Sequence, residues 1–475
     1  MARAVMEFLD KQETEKIHSA SMKVLNEVGV VVLSSNASEM LVSAGARKSK
    51  DGKRILIPEE MVKSSLASAP KSVLLAGRER RLDIMIPSPE RLWTANGGEG
   101  IFMKNMLTGE TRPANSDDLG NFARLVDQLP AIDFFWPMVG ALEQPVQMKV
   151  SVELKICFRF TSKHIQTAAS STEEGRQLIK LASILTGGPQ ELAKRPIFSA
   201  IQCPISPLTF EEGLTDGQVE LSRGGIPVVA MSAAVAGLTS PVTIAGTIAQ
   251  INAENLASLV ITQVARKGAP FVYSSDSSPG DLQTGSIDYG ALEMPLFRVA
   301  AGQMGRHYGL PTMVCGVGLE DVSADLGNAW EGVPFMTRQA LVPSDLASGF
   351  GGVEQATGAS YEQLVADAWV WDLARETIRE FVIDDDAISF ETIRDASLDR
   401  NFVGKKHTIG RFRKEGIAYR RPEAALKNRA KVGARGSLIK KAFEEATRLL
   451  KQPTEMRVTK DELRQMEDFL KSMSG

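Results

Sequence analysis

The chain is short of the residues that build cross-links and metal sites. Its three cysteines, Cys157, Cys203 and Cys315, are widely spaced and odd in number, which excludes a disulfide framework and a CxxC metal pattern. Its four histidines, His18, His164, His307 and His407, stand apart with no HxH or HExxH spacing. Cys203 and Cys315 both end strand-like runs, so a thiolate zinc site has to be weighed. Two small buried hydrophobes explain them better, and no tightly bound metal is expected. There is no GxSxG nucleophile elbow, and neither GEG at 98–100 nor GVG at 316–318 completes GxGxxG. A net charge of −3 gives no case for nucleic acid or a membrane surface. The N-terminal residues lack the apolar core of a signal peptide, and the longest apolar helical patterns carry polar residues in every turn. A reducing cytoplasm is the expected setting.

What is present is a globular composition, 43% hydrophobic and 24% charged, with ample core material. Residues 1–90 read as an N-terminal helical extension. A helix is expected from Glu13 to Val28, stopped by Gly29, and another in IPEEMVKSSLASA. From 91 to 382, short apolar runs at 91–96, 133–139, 164–169, 197–203, 226–231, 270–275, 311–316 and 345–350 alternate with helical patterns. The helices are expected near 116–129, 147–161, 172–187, 209–223, 240–267, 288–308, 327–342 and 358–381. The strand runs lack strict alternation, which suits a parallel sheet covered on its outside. Eight such units in order point to an α/β fold, a (β/α)8 TIM barrel, although an open doubly wound sheet shares most of the pattern. Residues 383–475 read as a C-terminal helical extension packed on the barrel, with a basic stretch (Lys427, Arg429, Lys431, Arg435, Lys440, Lys441) and a final amphipathic helix near 459–472. Ser116-Asp117-Asp118 and Ser360 supply N-cap chemistry to two of the helices.

In such a barrel the active site forms where the strands end. The exits here carry Asn96-Gly97-Gly98-Glu99, the run from Gln202 to Pro207, Tyr273 to Asp276, Gly316 to Asp321, and Phe350 to Glu354. Glycines allow close backbone approach, while aromatic and acidic residues suit a small organic cation. Phe102, Tyr273, Trp330 and Phe350 are the expected cage, with Asp276 and Glu354 supplying field or hydrogen bonds. Asn96, Gln202 and His307 are candidates for holding a substrate carboxylate. Each has a plainer reading: tight turns for the glycines, helix caps for Asp276 and Glu354, and packing for the aromatics and His307.

Several segments carry a resemblance. IHSASMKVLNEVGV, TRPANSDDLGNFARLVDQLPAID, CPISPLTFEEG, AGLTSPVTIAGTIAQINAENLASLVITQVARKGAPFVYSSDSSPGDLQTGS, GASYEQLVADAW and NFVGKKHTIGRFRKE resemble, in the same order, the trimethylamine:corrinoid methyltransferase superfamily, from about residue 15 to 420. Among its branches the chain is most similar to the non-pyrrolysine, glycine betaine:corrinoid members. The resemblance implies a (β/α)8 barrel whose mouth admits the cob(I)alamin or other corrinoid of a small corrinoid-binding partner protein. It also implies a small-molecule quaternary amine as methyl donor. No residue of the chain is pyrrolysine; its equivalent falls within Gly316–Asp321. Where relatives carry a fuller Asp-Ser-Lys and Gln pattern, this chain reads EDVSADLGNAWEG.

The expected reaction moves a methyl group from glycine betaine to Co(I), leaving dimethylglycine. Carnitine, γ-butyrobetaine and proline betaine are rival donors, because one methylene in a pocket is worth only about 1–3 kcal/mol. A barrel lyase or hydrolase using Asp276, Asp281 or Glu354, and a non-catalytic quaternary-amine binding protein, are the readings from other classes. The terminal helices are compatible with a homo-oligomer.

Overall fold

The computed structural model describes residues 4–316 apart from 290 and 292, residue 318, and residues 336–378, 382–415 and 438–473. Seven strands form one parallel sheet: Trp93–Asn96, Ile165–Thr167, Phe198–Gln202, Val228–Ser232, Phe271–Ser275, Thr312–Val314 and Leu346–Phe350. Each pairs with its successor in that order from Ile165–Thr167 onward, and Leu346–Phe350 then pairs in parallel with Trp93–Asn96. The run expected as a strand at 133–139 forms no continuous ladder. It touches both sheet edges through single parallel bridges, Ala95 with Phe134 and Phe135 with Ile165. Pro137 lies inside that run and cannot donate to a ladder, which is one physical reason for the interruption.

Strand alternation sorts the side chains into two sets. Val229, Met231, Val272, Met313, Cys315 and Leu346 meet in one apolar cluster with Ala95, Phe134 and Ile201. Their alternate neighbours Val228, Ala230, Phe271 and Tyr273 pack in a separate cluster with the helix Ile244–Ala265. The first set is therefore an inner face on which six of the seven strands converge, and the sheet is curled. A hairpin, Val73–Leu75 paired with Ile84–Ile86, plugs the N-terminal end of that interior with Val73, Leu75, Ile84 and Ile86.

The helices lie close to their expected spans: Ser116–Gln128, Val146–Phe160, Thr172–Thr186, Glu212–Gly224, Ile244–Ala265, Met294–His307 and Tyr361–Thr377. Ser360 caps the last through the Gln363 amide. The cap of Ser116–Gln128 is one residue earlier than expected: Asn115 bonds the Asp118 amide and Asp118 bonds back, a reciprocal capping box. Of the helix expected at 327–342, residues 336–342 are described, and 336–340 are helical. The first helix, Lys11–Lys23, continues through a wider turn, Val24–Val28, and ends at Gly29, whose φ is 75°. The C-terminal helices Leu438–Leu450 and Lys460–Met473 bury Ile439, Ala442, Met466 and Leu470 in the same core as Trp371 and Phe122. No described helix is long and apolar enough to cross a membrane.

Candidate active site

Period-two alternation decides which strand-end residues can meet. On the strand Phe271–Ser275, Val272 faces inward, so Ser274 and Asp276 do too, and Tyr273 cannot. Tyr273 is 1% exposed and its hydroxyl donates to Asn252 Oδ1 at 3.2 Å on the outer helix. Gln202 lies on the outward side of its strand, accepting from Ser258 Oγ at 3.1 Å, whereas its neighbour Cys203 packs against the inner cluster. Phe350 also faces out, its ring centroid 5.6 Å from that of Trp371. These three expected ligand contacts are thus parts of the outer core.

The other expected residues separate as well. His307 ends the helix that precedes Thr312–Val314, so it sits at the opposite end from the strand exits, 5.0 Å from the Tyr308 ring and 5.9 Å from that of His18. The Asn96 amide braces backbone: it donates to the carbonyl oxygens of Trp136 and, at 2.6 Å, Gly97, and accepts from the Trp136 amide at 3.2 Å. Phe102 and Glu354 belong to loops after the first and last strands. There Phe102–Lys104 pairs with Gly358–Ala359 and Thr111–Pro113 in a small sheet on the rim. Glu354 is ion-paired with Lys104 in that sheet. Asp281 is a turn residue bonded to Gln283 and Thr284. Trp330 and most of Gly316–Asp321 lie outside the described residues.

Among the described residues of the expected set, Asp276 alone faces the interior. Burial pushes its carboxyl up to about 6; the Tyr289 hydroxyl, donating to Oδ2 at 2.9 Å, and the buried Arg298 guanidinium oppose that. Its Oδ1 is buried with no partner among the described residues. On the same strand Ser274 leaves Oγ so, and on the strand Ile165–Thr167 the fully buried Gln166 leaves both Nε2 and Oε1 without partners. Buried polar atoms are nearly always satisfied by protein, water or ligand, so these inner-face atoms call for water or a ligand.

Trp136 packs on the same inner face, and its indole N–H has no aligned acceptor. Gly98 lets the ring in, since a Cβ there would come within 2.3 Å of it. Glu99 follows in the left-handed region at φ 63°. It is open to solvent yet surrounded by protein, and that desolvation raises its pKa against the pull of Lys149 and Trp136.

Sulfur completes the wall: Cys315 Sγ lies 3.1 Å from Met231 Sδ. Burial first, then the carboxylates of Asp276 and Glu99, push the Cys203 thiol far up; burial and Asp276 do the same to Cys315. Both thiols are therefore neutral and poor nucleophiles. Among the described residues, no group of three or more His, Cys, Asp or Glu is arranged to hold a metal ion.

Outer helices hold the exits in place. Glu254 accepts from Ser206 Oγ at 2.8 Å, the Leu208 amide at 2.9 Å and the Ser232 hydroxyl, tying two exit loops together. Asn255 clasps the Ser274 amide and carbonyl, and Asp367 accepts from the Gly351 amide at 2.7 Å. The rim carries exposed apolar residues: Ile101, Leu142, Ile205, Val242 and Leu282 on loops that follow strands, and Val146 at the start of a helix.

Gln166, Trp136, Cys203 and Met231 were absent from the expected site. Alternation would have found them: counting by two from Asp276 or along each strand run selects the inner set.

Comparison with known proteins places this geometry. The family model described as trimethylamine methyltransferase (MTTB) matches residues 2–473. Trimethylamine methyltransferase MttB of Desulfitobacterium hafniense (strain DSM 10664 / DCB-2) is 27% identical over 443 residues, 93% of this chain and 89% of the relative. Glycine betaine methyltransferase of Desulfitobacterium hafniense (strain Y51) is 26% identical over 413 residues, covering 86% and 85%. The crystal structure of Methanosarcina barkeri monomethylamine methyltransferase (MtmB) superposes with a TM-score of 0.52 at 10% identity, over 98% of this chain and 89% of that one; at that identity the likeness concerns the fold. The chain belongs to the trimethylamine methyltransferase (MTTB) family and is a methyltransferase.

Proposed function

We propose that the protein removes a methyl group from a quaternary amine, glycine betaine in the first instance, and passes it to the cobalt of a reduced corrinoid presented by a small partner protein. The observation that carries this reading is the inner-face set of Asp276, Gln166 and Ser274, with four buried polar atoms left for a ligand, and Trp136 on the same face. In this reading the curled sheet acts as a closed (β/α)8 barrel with 133–139 as its second strand, flanked by extensions at 1–90 and 383–475, in a cytoplasmic setting. The two single bridges at Phe134 and Phe135 support the closure.

The chemistry asks little of the protein. As the N–CH3 bond breaks, its electron pair stays on nitrogen, so the amine leaves neutral and needs no general acid. The acceptor supplies the nucleophile. The chain's own residues must hold the donor, exclude water and leave one methyl exposed toward the mouth. Because transfer cancels the donor's positive charge, a strong anionic cage would favour the ground state and oppose reaction. Asp276, tempered by Arg298 and Tyr289, offers one moderated charge, and Trp136 offers an aromatic face. Gln166 can donate and accept at the donor's polar end. The neutral thiols of Cys203 and Cys315 do not compete for the methyl group. The apolar rim fits an acceptor that must seal the site during transfer.

Anaerobic incubation with a corrinoid acceptor and a panel of methylated amines, read by mass spectrometry of the demethylated products, tests the donor. Dimethylglycine formed from glycine betaine is the expected outcome. Product from carnitine, γ-butyrobetaine, proline betaine or trimethylamine alone would replace the donor. No product from any of them would overturn the reading.

A further inference from the structure

A cavity of about 420 Å³ lies at the N-terminal end of the sheet, beside the plugging hairpin Val73–Leu75/Ile84–Ile86. Trp93, which opens the strand Trp93–Asn96, lines it together with Asp133, Lys163, Leu82, Ile84 and Ile132. Trp93 packs against the inner cluster that contains Ala95, but it stands at the opposite end of its strand from Asn96 and the candidate active site. Three residues of strand put about 10 Å between those ends. The volume falls within the roughly 300–1,000 Å³ of small-molecule sites.

The charges of the wall do not cancel. At the rim Glu79 is paired with Arg81, both exposed. Deeper in, Asp83 has Arg195, Asp127 has Arg457 and Asp133 has Arg91. Lys163 is held differently: its three ammonium hydrogens go to the carbonyl oxygens of Val126, Leu129 and Ile132, at 2.5, 3.0 and 2.6 Å. Burial lowers its pKa to about 8, which leaves it protonated at neutral pH. Glu455, a second partner of Arg457, is 75% exposed, and an exposed partner contributes little. One positive charge in the wall is therefore left without a carboxylate of its own, and a buried charge without a counter-charge is costly.

The unused hydrogen-bonding groups have the matching sign. Arg91 and Trp93 both line the cavity, and their Nε and Nε1 hydrogens are buried with no acceptor among the described residues. Arg91 Cζ stands 4.2 Å from the centroid of the Trp93 ring, so the two donors belong to one cation–aromatic pair. No described lining residue has a buried side-chain acceptor left in the same condition. Two spare donors and one spare positive charge suit a group with two oxygens and a single negative charge. A dianion would exchange one uncompensated charge for another. Ile84, Ile132 and the indole ring offer an apolar surface for the remainder of such a ligand.

We propose that this cavity is a binding site, separate from the strand exits, for a small organic carboxylate whose oxygens accept from Arg91 Nε and Trp93 Nε1. Benzoate is the probe, followed with the full-length protein by calorimetry and by tryptophan fluorescence. It should bind saturably and alter the fluorescence. Trp93→Phe keeps a ring and loses the N–H, so calorimetric affinity should fall about three- to tenfold. Its melting temperature should not change, because no partner loses a bond. Arg91→Lys keeps a cation beside Asp133 and loses Nε, and should weaken benzoate at least as much. Asp276→Asn should bind benzoate as the wild type does. Binding that fails to saturate would overturn the proposal, as would full affinity in both Trp93→Phe and Arg91→Lys. Loss of benzoate binding in Asp276→Asn would also overturn it, by placing the carboxylate at the strand exits. Inorganic phosphate binding more tightly than benzoate would overturn the choice of a carboxylate.

Discussion

Asp276 is the residue on which pH dependence should turn. Its carboxyl is raised from 3.8 to about 6, so in the folded protein it keeps a proton across the interval where an unfolded chain has lost it. Stability therefore falls as pH rises from about 4 to about 6 and is flat above. Cation binding runs the other way, because only ionised Asp276 attracts the donor. Donor affinity should rise several-fold between pH 5 and 7 in titration calorimetry. In Asp276→Asn both slopes should vanish, with affinity at pH 7 down roughly tenfold, about 1.4 kcal/mol. A pH slope that persists in the variant would assign it to Glu99 or another group.

Gln166 offers a separate diagnosis. A buried amide without partners costs stability, so Gln166→Leu should leave the melting temperature unchanged or raise it, by about 1 kcal/mol in free energy, while weakening donor binding. A structural Gln would do the reverse: lower stability and unchanged affinity.

At the scale of elements, close packing between helices and strand ends is what aims the inner residues. Gly217, mid-helix in Glu212–Gly224, would on propensity alone gain stability when changed to Ala, by up to about 1 kcal/mol. A Cβ there would lie 2.1 Å from the Ala169 carbonyl oxygen, which is backbone and cannot yield. Gly217→Ala should instead cost about 1–3 kcal/mol in denaturant unfolding; a stabilised variant would show that the helix can shift freely.

The same scale explains what the sequence could convey. Strand and helix spans were readable because apolar runs and caps are local signals; Ser360 capping Gln363 is an example. The interrupted run at 133–139 was not, since single bridges depend on how the sheet edges approach each other. The short hairpins at Val73–Ile86 and on the rim carry two or three residues per strand, too few for periodicity to register. Site residues chosen by chemical type mixed both faces of each strand. Tyr273 and Asp276 are three apart, so one must face away from the other, and the separate clusters of Val272 and Tyr273 show which.

At the scale of the whole molecule, family membership is carried by residues 2–473 together, and the interior is described by its own geometry. The parts at the mouth act together: outer helices tie the exit loops through Glu254, Asn255 and Asp367, the inner face presents Asp276, Gln166 and Trp136, and the apolar rim surrounds them. The proposed donor rests on resemblance, because pocket dimensions arise from contacts between segments hundreds of residues apart.

The most direct test is a single-turnover measurement of the loss of Co(I) absorbance after anaerobic mixing of protein, donor and reduced corrinoid, comparing wild type with Asp276→Asn and Gln166→Leu. The account predicts rapid loss with the wild-type protein and at least tenfold slower loss at subsaturating donor with either variant, each remaining folded. Equal rates in all three proteins would contradict it, because the methyl group would then be leaving from somewhere other than the inner face at the strand exits.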